Sequence, residues 1–424
     1  IGREIGRIPS RHRTMNNDDL LPVADAQQRI IAALSPTPAE QIPLSEGLGR
    51  VLAKDVRSRR TQPPAAVSAM DGYAVRAIDV TRLPTTLRVI GYAPAGHAFD
   101  GTVGPGEAVR IFTGAPLPDG ADTIVIQENT EKIEKNIRVT GGEAPSGRFV
   151  RPAGLDFLTG ETLLTSGTVL TARDIGLAAA MNVPWLMVRR KPRISILATG
   201  DEIVMPGDPV SQNQIVSSNA LSLAAFVLAQ GGEPLDLGIA PDEKEGLRSL
   251  ASGAAGSDIL LTTGGASVGD HDLVQSVLGE IGLEVDFWRI AMRPGKPLMF
   301  GRIGDTYLIG LPGNPVSSLV CALIFVAPAL RSMLGIKEIV PQPLTAILGS
   351  NLRENDERED YLRATLSRDD SGELVATPFD KQDSSMFATI AQSDALVIRA
   401  PFATAAKSGD LVDIIPLDGS VYSI

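Results

Sequence analysis

The chain is poor in the residues on which most metal, redox and relay chemistry depends. Of its 424 residues one is a cysteine, Cys321, and three are histidines, His12, His97 and His271. A single cysteine excludes an intrachain disulfide and a thiolate zinc site. The histidines are too scattered for a metal triad or a Ser-His-Asp relay, so classical hydrolase chemistry lacks its base. Cys321 stands among Leu319, Val320, Ala322 and Leu323 and reads as a small core residue. Long apolar runs are also missing. The densest stretch, 316–330, contains Ser317, Ser318 and Pro328, which predicts a buried helix and no membrane span. Positive charge is short, with a formal net charge of −11. That argues against nucleic-acid or anionic-membrane partners and favours a small ligand, with room for a local basic pocket. The first 14 residues carry Arg3, Arg7, Arg11 and Arg13 without the apolar core of a signal peptide. Residues 1–17 are expected to form a disordered leader. A cytoplasmic location follows by default, and the Arg-rich leader leaves organelle targeting open.

The chain is too long for one core, so two to four domains are expected. Apolar residues on one face predict a helix over 22–34, stopped by Pro36 and Pro38. Short β-rich runs at 87–91, 108–112, 123–127 and 137–139, separated by Gly/Pro turns, predict an all-β module. A helix over 172–181 opens at Thr171 with Asp174 placed for a capping box. Helical pieces on both sides of the β run suggest one split domain, 18–57 with 159–189, around an insert at 58–158.

From Arg193 the texture alternates. Strands at 193–199, 234–239 and 258–262 interleave with helices at 219–230, 243–251 and 271–281, which predicts a parallel sheet covered by helices over 190–337. Further strands near 285–290, 297–303 and 306–310 lead to Leu311-Pro312-Gly313-Asn314-Pro315, where Asn314 is expected to cap a long helix with Pro315 at its first position. Residues 338–424 are β-rich and turn-rich, suiting a small barrel or sandwich.

Ligands of such parallel sheets bind beyond the C-terminal strand ends. Two loops fall there, Thr199-Gly200-Asp201-Glu202 and the stretch 257–272, SDILLTTGGASVGDHD. In the second, Gly264, Gly265, Ser267 and Gly269 allow the backbone N–H groups to approach a phosphate closely. Asp270 and Asp272 would repel a bare phosphate, and a hard cation such as Mg²⁺ between them removes the conflict. Further carboxylates stand at Asp71 in SAMDGYA and Asp156 in RPAGLDF; each alone is more often a turn or cap residue. The basic counterpart is WRIAMRPGKP, in which a Pro-Gly turn spaces Arg293 from Lys296 and suits a doubly charged oxyanion, with Arg289 nearby. Metal plus positioning suits phosphoryl or nucleotidyl bond cleavage.

Seven motifs in order, SAMDGYA, IFTGAPLPDGAD, RPAGLDF, TGDE, TTGGASVGDHD, MRPGKP and LPGNPVSS, resemble the molybdopterin molybdotransferases, the MoeA-type proteins that include the E domain of gephyrin. The resemblance runs from about Asp19 to the C-terminus. It implies insertion of molybdate into adenylylated molybdopterin, with Mg²⁺-dependent release of AMP as the last step of molybdenum cofactor biosynthesis. The implied fold has a split helical domain, a β insert, a three-layer α/β molybdopterin-binding domain and a C-terminal β-barrel. The implied assembly is a homodimer with a composite active site, contacting the upstream adenylyltransferase and recipient molybdoenzymes.

Carried over by motif, Asp272 and Glu202 resemble the essential acids, with Asp270 and Asp71 as further metal candidates. Asp71, Thr113 and Asp156 resemble groups supplied by the opposite subunit. Asp242 matches an acid near the nucleotide, and Arg289, Arg293 and Lys296 resemble cations that hold molybdate or the pterin phosphate. Ser317 matches the LPGNPVS serine, while Arg363 with Ser384 or Ser385 resembles the C-terminal part of the oxyanion pocket. Three positions depart from the pattern: Arg293 where Lys is common, Ser217 where Asp is common, and Asp383 where Gly is usual. Asp383 would be unfavourable near an oxyanion unless it points away. The alternatives are a molybdopterin adenylyltransferase, which the α/β domain alone would fit, and a non-enzymatic scaffold of the same fold.

Overall fold

The Arg193–Thr199 strand is buried at six of its seven positions, which only a strand covered on both faces achieves. In the computed structural model, which describes residues 20–264 and 273–417, it sits inside a six-stranded sheet. Parallel partners flank it, Glu233–Ala240 on one side and Ile259–Thr263 on the other. Thr306–Leu311 follows, also parallel, and Met299–Ile303 and Leu283–Trp288 complete the sheet antiparallel. Successive side chains serve opposite faces. Ile194, Ile196, Ile259, Leu261, Ile309 and Leu311 pack with the Asn219–Ala229 helix and the Pro315 helix, whereas Leu197, Leu260 and Leu308 pack with the Lys244–Ser252 and Leu273–Glu280 helices. Each fully buried Leu or Ile contributes about 1.5–3 kcal/mol.

The helix expected over 316–330 spans Pro315–Met333, is apolar enough to cross a membrane, and is 83% buried inside the protein. Residues Ala322–Val326 form a π-helical turn. Gln27 Nε2 donates to Ile324 O within it at 2.8 Å, so a side chain from the Val23–Ala33 helix reaches a backbone carbonyl in that turn. Val23, Ala26 and Ile30 lie on the buried face of that helix, as the spacing predicts.

Beyond it, Glu359–Arg368, Leu374–Pro378, Leu344–Leu348, Leu411–Pro416 and Ala395–Arg399 pair in turn, and the last returns to the first. The result is a closed five-stranded barrel, which leaves no sheet edge. Its interior is built on Ala346, Ala364, Ala376 and Ala395, small enough for so few strands to close. The short strand Met292–Arg293 pairs parallel with Glu359 and Asp360, tying the α/β sheet region to the barrel.

The α/β sheet and the barrel belong to one compact unit, and residues 41–188 form a second. In the second, a six-stranded sheet runs Thr123–Ile126, Gly72–Val75, Glu107–Ile111, Thr85–Ala93, Asn136–Val139, Thr130–Ile133. Gly72 crosses Val125 so closely that a side chain would strike its carbonyl. The Ala172–Ala180 helix carries the expected capping box, with Thr171 N donating to Asp174 Oδ2 at 2.8 Å.

Two local expectations change. The strand expected to reach residue 290 ends at Trp288, because Arg289 adopts φ +70°. Asn314 occupies the N-cap position but makes no side-chain cap bond, since its amide is directed to Ser384.

Candidate functional site

The parallel strands end together. Thr199 is in register with Ala240, and Ala198 with Thr263, which is itself opposite Leu311. The next residues of each strand therefore meet in one crevice, where the chain also turns into helices. Gly200, at φ +142°, brings the Glu202 carboxylate back over the strand end, 2.6 Å from where a Cβ would stand. Asp201 Oδ1 accepts the Asp242 N–H at 3.0 Å, joining the ends of two neighbouring strands. Gly264, at φ +93°, packs against the Thr199 carbonyl, and a Cβ there would lie 2.6 Å from that oxygen. Asn219 Nδ2 donates to Thr263 Oγ1 and Gly313 O, both at 2.7 Å, and so holds three loops of the crevice together. Glu202, Asp242 and Gly264 are thus brought together. Gly265, Ser267, Asp270, His271 and Asp272 lie outside the described residues.

The second cluster surrounds the start of the Pro315 helix. Ser384 O accepts the Val316 N–H at 3.2 Å, and Ser384 Oγ accepts the Asn314 side chain at 2.8 Å. Arg363, 1% exposed, donates through Nη2 to Asp383 O at 3.1 Å, and its Nε has no hydrogen-bond partner. Burial lowers its guanidinium pKa while the nearby Asp383 raises it. Asp383 directs its carboxylate to the Ser385 hydroxyl and N–H at 2.7 and 2.8 Å, and these bonds, with Arg363 adding less, hold it below the usual range. The departure at this position is accommodated because Ser385 takes the charge. Ser317 is buried in the first turn of the helix, where Ser318 Oγ has no hydrogen-bond partner. Helix N-termini and buried guanidinium groups both favour an anion.

Arg293, one of the two cations expected to face an oxyanion, is engaged by two carboxylates. The parallel pairing of Arg293 with Asp360 places its Nε 2.8 Å from Asp360 Oδ1, and its Nη2 lies 3.0 Å from Asp356 Oδ2. Lys296 is exposed. Arg289 stacks over the Trp288 ring, 5.1 Å from its centroid. Asp356 is held down to about 2, chiefly by its bond from Arg358, whereas burial raises Asp360 against the opposing pull of Arg293.

In the second unit, Asp71 Oδ1 accepts both the N–H and the hydroxyl of Thr113 at 2.8 Å. Those two bonds lower the Asp71 pKa and keep it ionised. Asp156 lies on an exposed loop whose N–H bonds to Gln62 O. The sequence singled out Asp71 but missed the strand Gly72–Val75 that begins directly after it. It also missed Asn219 and Asn355, and the partner of Asn314; these three amides bridge loops far apart in sequence and leave no periodic signal.

Among the described residues no three of His, Cys, Asp and Glu form a metal-binding group. An all-protein cage is therefore not built from them, but Mg²⁺ ordinarily takes one or two carboxylates and completes its shell with water and substrate phosphate. Glu202, exposed at the strand ends, fits that pattern.

Comparison with known proteins covers nearly the whole chain. Residues 21–182 match the MoeA N-terminal region (domain I and II), 195–332 a probable molybdopterin binding domain, and 345–417 the MoeA C-terminal region (domain IV). A molybdopterin molybdenumtransferase of Nostoc sp. is 35% identical over 94% of this chain and 91% of its own length. One of Haemophilus influenzae is 32% identical over 94% and 99%. The crystal structure of a molybdopterin biosynthesis MoeA protein from Pyrococcus horikosii superposes with a TM-score of 0.82 at 31% identity, covering 95% of this chain and all of that one. The order of the three matched regions follows the order of the sheets and barrel described above, and the chain belongs to the MoeA family.

Proposed function

We propose that the protein is a molybdopterin molybdotransferase, inserting molybdate into adenylylated molybdopterin with release of AMP. The observation that carries this reading is Arg363, a buried guanidinium with an unpartnered Nε beside the first turn of the Pro315 helix. A buried donor without a partner costs about 1–3 kcal/mol, which a bound dianion would recover. Ser317 and Ser384 supply neutral hydroxyl donors around it, Ser385 would add one on release from Asp383, and Lys296 and Arg289 supply further positive charge. Arg293 joins them on release from Asp356 and Asp360.

In the crevice, the backbone at Gly264 and the Asp201–Asp242 connection shape a seat for the nucleotide, with Gly265 and Ser267 continuing the loop in sequence. Glu202, with Asp272 and Asp270, would hold Mg²⁺, which when bound neutralises the pyrophosphate oxygens and polarises phosphorus. Asp71, kept ionised by Thr113, and Asp156 are the acids offered by the second unit. By the family resemblance, the protein works as a homodimer with a composite site, in the cytoplasm between an adenylyltransferase and the recipient molybdoenzymes. The domain division proposed is 18–57 with 159–189, 58–158, 190–337 and 338–424.

Calorimetric titration with molybdate tests the oxyanion pocket. Binding by the wild-type chain that weakens about 10- to 150-fold in Arg363→Gln and about 2- to 10-fold in Ser384→Ala is expected from loss of a charge-assisted and a neutral donor respectively. Unchanged binding in both variants would remove the pocket from this site.

A further inference from the structure

We propose that the face of the insert sheet beside Asp71 carries a stacking subsite for the flat fused heterocycle of the substrate, with Tyr92 as its exposed ring. The inference deepens the function proposed above and rests on it. The strand register sets the face: Tyr73 and Tyr92 both stand opposite Arg110, on its two sides, so the three side chains share one row. Phe112, two residues beyond Arg110, continues the same face.

The Arg110 guanidinium carbon lies 5.1 Å from the Tyr73 ring centroid and 4.7 Å from that of Phe112. Its two Nη atoms are held by Gly72 O at 3.0 Å and Gln127 Oε1 at 2.7 Å. A cation fixed by stacking and by two hydrogen bonds cannot swing away to solvent, so the rings beside it are held as well. Tyr92 meets Phe112 edge-on, with centroids 5.1 Å apart and planes at 62°. That contact orients Tyr92 and still leaves it 57% exposed. Phe112 is directly followed by Thr113, whose N–H and hydroxyl bind Asp71. An oriented aromatic surface therefore borders the acid through a single peptide.

Oriented and exposed rings beside a guanidinium are the chemistry that binds bases without reading their edges. Adenine and pterin present the same π surface, and both belong to the proposed substrate. Packing alone would account for Tyr73 and Phe112, which are half-buried, but it leaves the exposed face of Tyr92 without a use.

The test is calorimetry of the full chain with AMP in one arm and free neopterin in the other. Binding of at least one of them by the wild type, weakened about 5- to 150-fold in Tyr92→Ala and retained in Tyr92→Phe, is expected for a stacking role. The arm that responds identifies the ring. Wild-type binding matched by Tyr92→Ala in both arms, with an unchanged melting temperature, would overturn the subsite and leave the proposed function standing. Tyr92→Phe as weak as Tyr92→Ala would overturn stacking as the cause. Failure of the wild type to bind either compound, with AMP release from adenylylated molybdopterin intact, would overturn the subsite and leave the proposed function standing.

Discussion

Asn314 donates its side-chain amide to Ser384 Oγ at 2.8 Å across 70 positions of sequence, instead of capping the helix that it begins. The bond fastens the 382–385 turn to the N-terminus of the Pro315 helix, where Ser384 also accepts the Val316 N–H. Asn314→Ala removes one neutral hydrogen bond, so stability should fall by only about 1 kcal/mol. Molybdate affinity should fall further than stability, because the turn that carries Ser384 and Ser385 loses its tether. Thermal denaturation and molybdate titration of the same variant compare the two; an unchanged titration would show that the tether does not position the pocket.

Thr113 controls the charge of Asp71. Its hydroxyl and N–H both favour the carboxylate, so the folded pKa lies below the ordinary value. Thr113→Val deletes the hydroxyl and keeps the N–H, and the Asp71 pKa should then rise toward that value. The acidic limb of the kcat/KM profile for AMP release should move to higher pH, and Thr113→Ser should restore it. An acidic limb that stays in place in Thr113→Val would separate Asp71 from catalysis.

Arg293 faces two carboxylates with opposite tendencies. Asp356, held at about 2 chiefly by Arg358, contributes stability that is present above the unfolded carboxylate range near 4 and is lost as pH falls toward 2. Asp356→Asn should flatten the loss of stability between roughly pH 4 and pH 2. For Asp360, burial raises the pKa and Arg293 opposes that rise. Arg293→Met should therefore move the Asp360 titration to still higher pH, read from its carboxyl carbon by NMR. A titration that does not move would mean that the ion pair at 2.8 Å is not maintained in solution.

Gly264 has no room for a methyl group. At φ +93° and with the Thr199 carbonyl 2.6 Å from a hypothetical Cβ, the neighbouring main chain would have to move. Gly264→Ala should cost about 1–3 kcal/mol of stability and should lower activity further by displacing the crevice backbone. Wild-type melting and turnover in this variant would show that the close approach is dispensable.

Period and punctuation made the covered sheet legible. The strand expected at 193–199 is found at those residues, and the helices at 219–230 and 243–251 shift by no more than one residue at either end. The capping box at Thr171 and Asp174 was likewise written in four consecutive residues. What the sequence hid depends on contacts across long separations. The Gly72–Val75 strand lies in a stretch dominated by turn residues, and its place between Glu107–Ile111 and Thr123–Ile126 is set by partners that come later in the chain. The Pro-Gly spacing of Arg293 and Lys296 gave no sign of the acids some 60 positions away, Asp356 and Asp360, that the register with Glu359 and Asp360 brings to Arg293. Asn314 has the composition of a cap, and only the fold shows that Ser384 competes for its amide.

The most direct measurement is AMP release from adenylylated molybdopterin on addition of molybdate and Mg²⁺ to the full chain, followed by chromatography. The wild type should release AMP in proportion to the substrate consumed, and Glu202→Gln, which removes only the charge of an exposed side chain, should release it at least about a hundredfold more slowly while melting at the same temperature. A wild-type chain that binds the substrate and leaves its AMP linkage intact would contradict the proposed reaction.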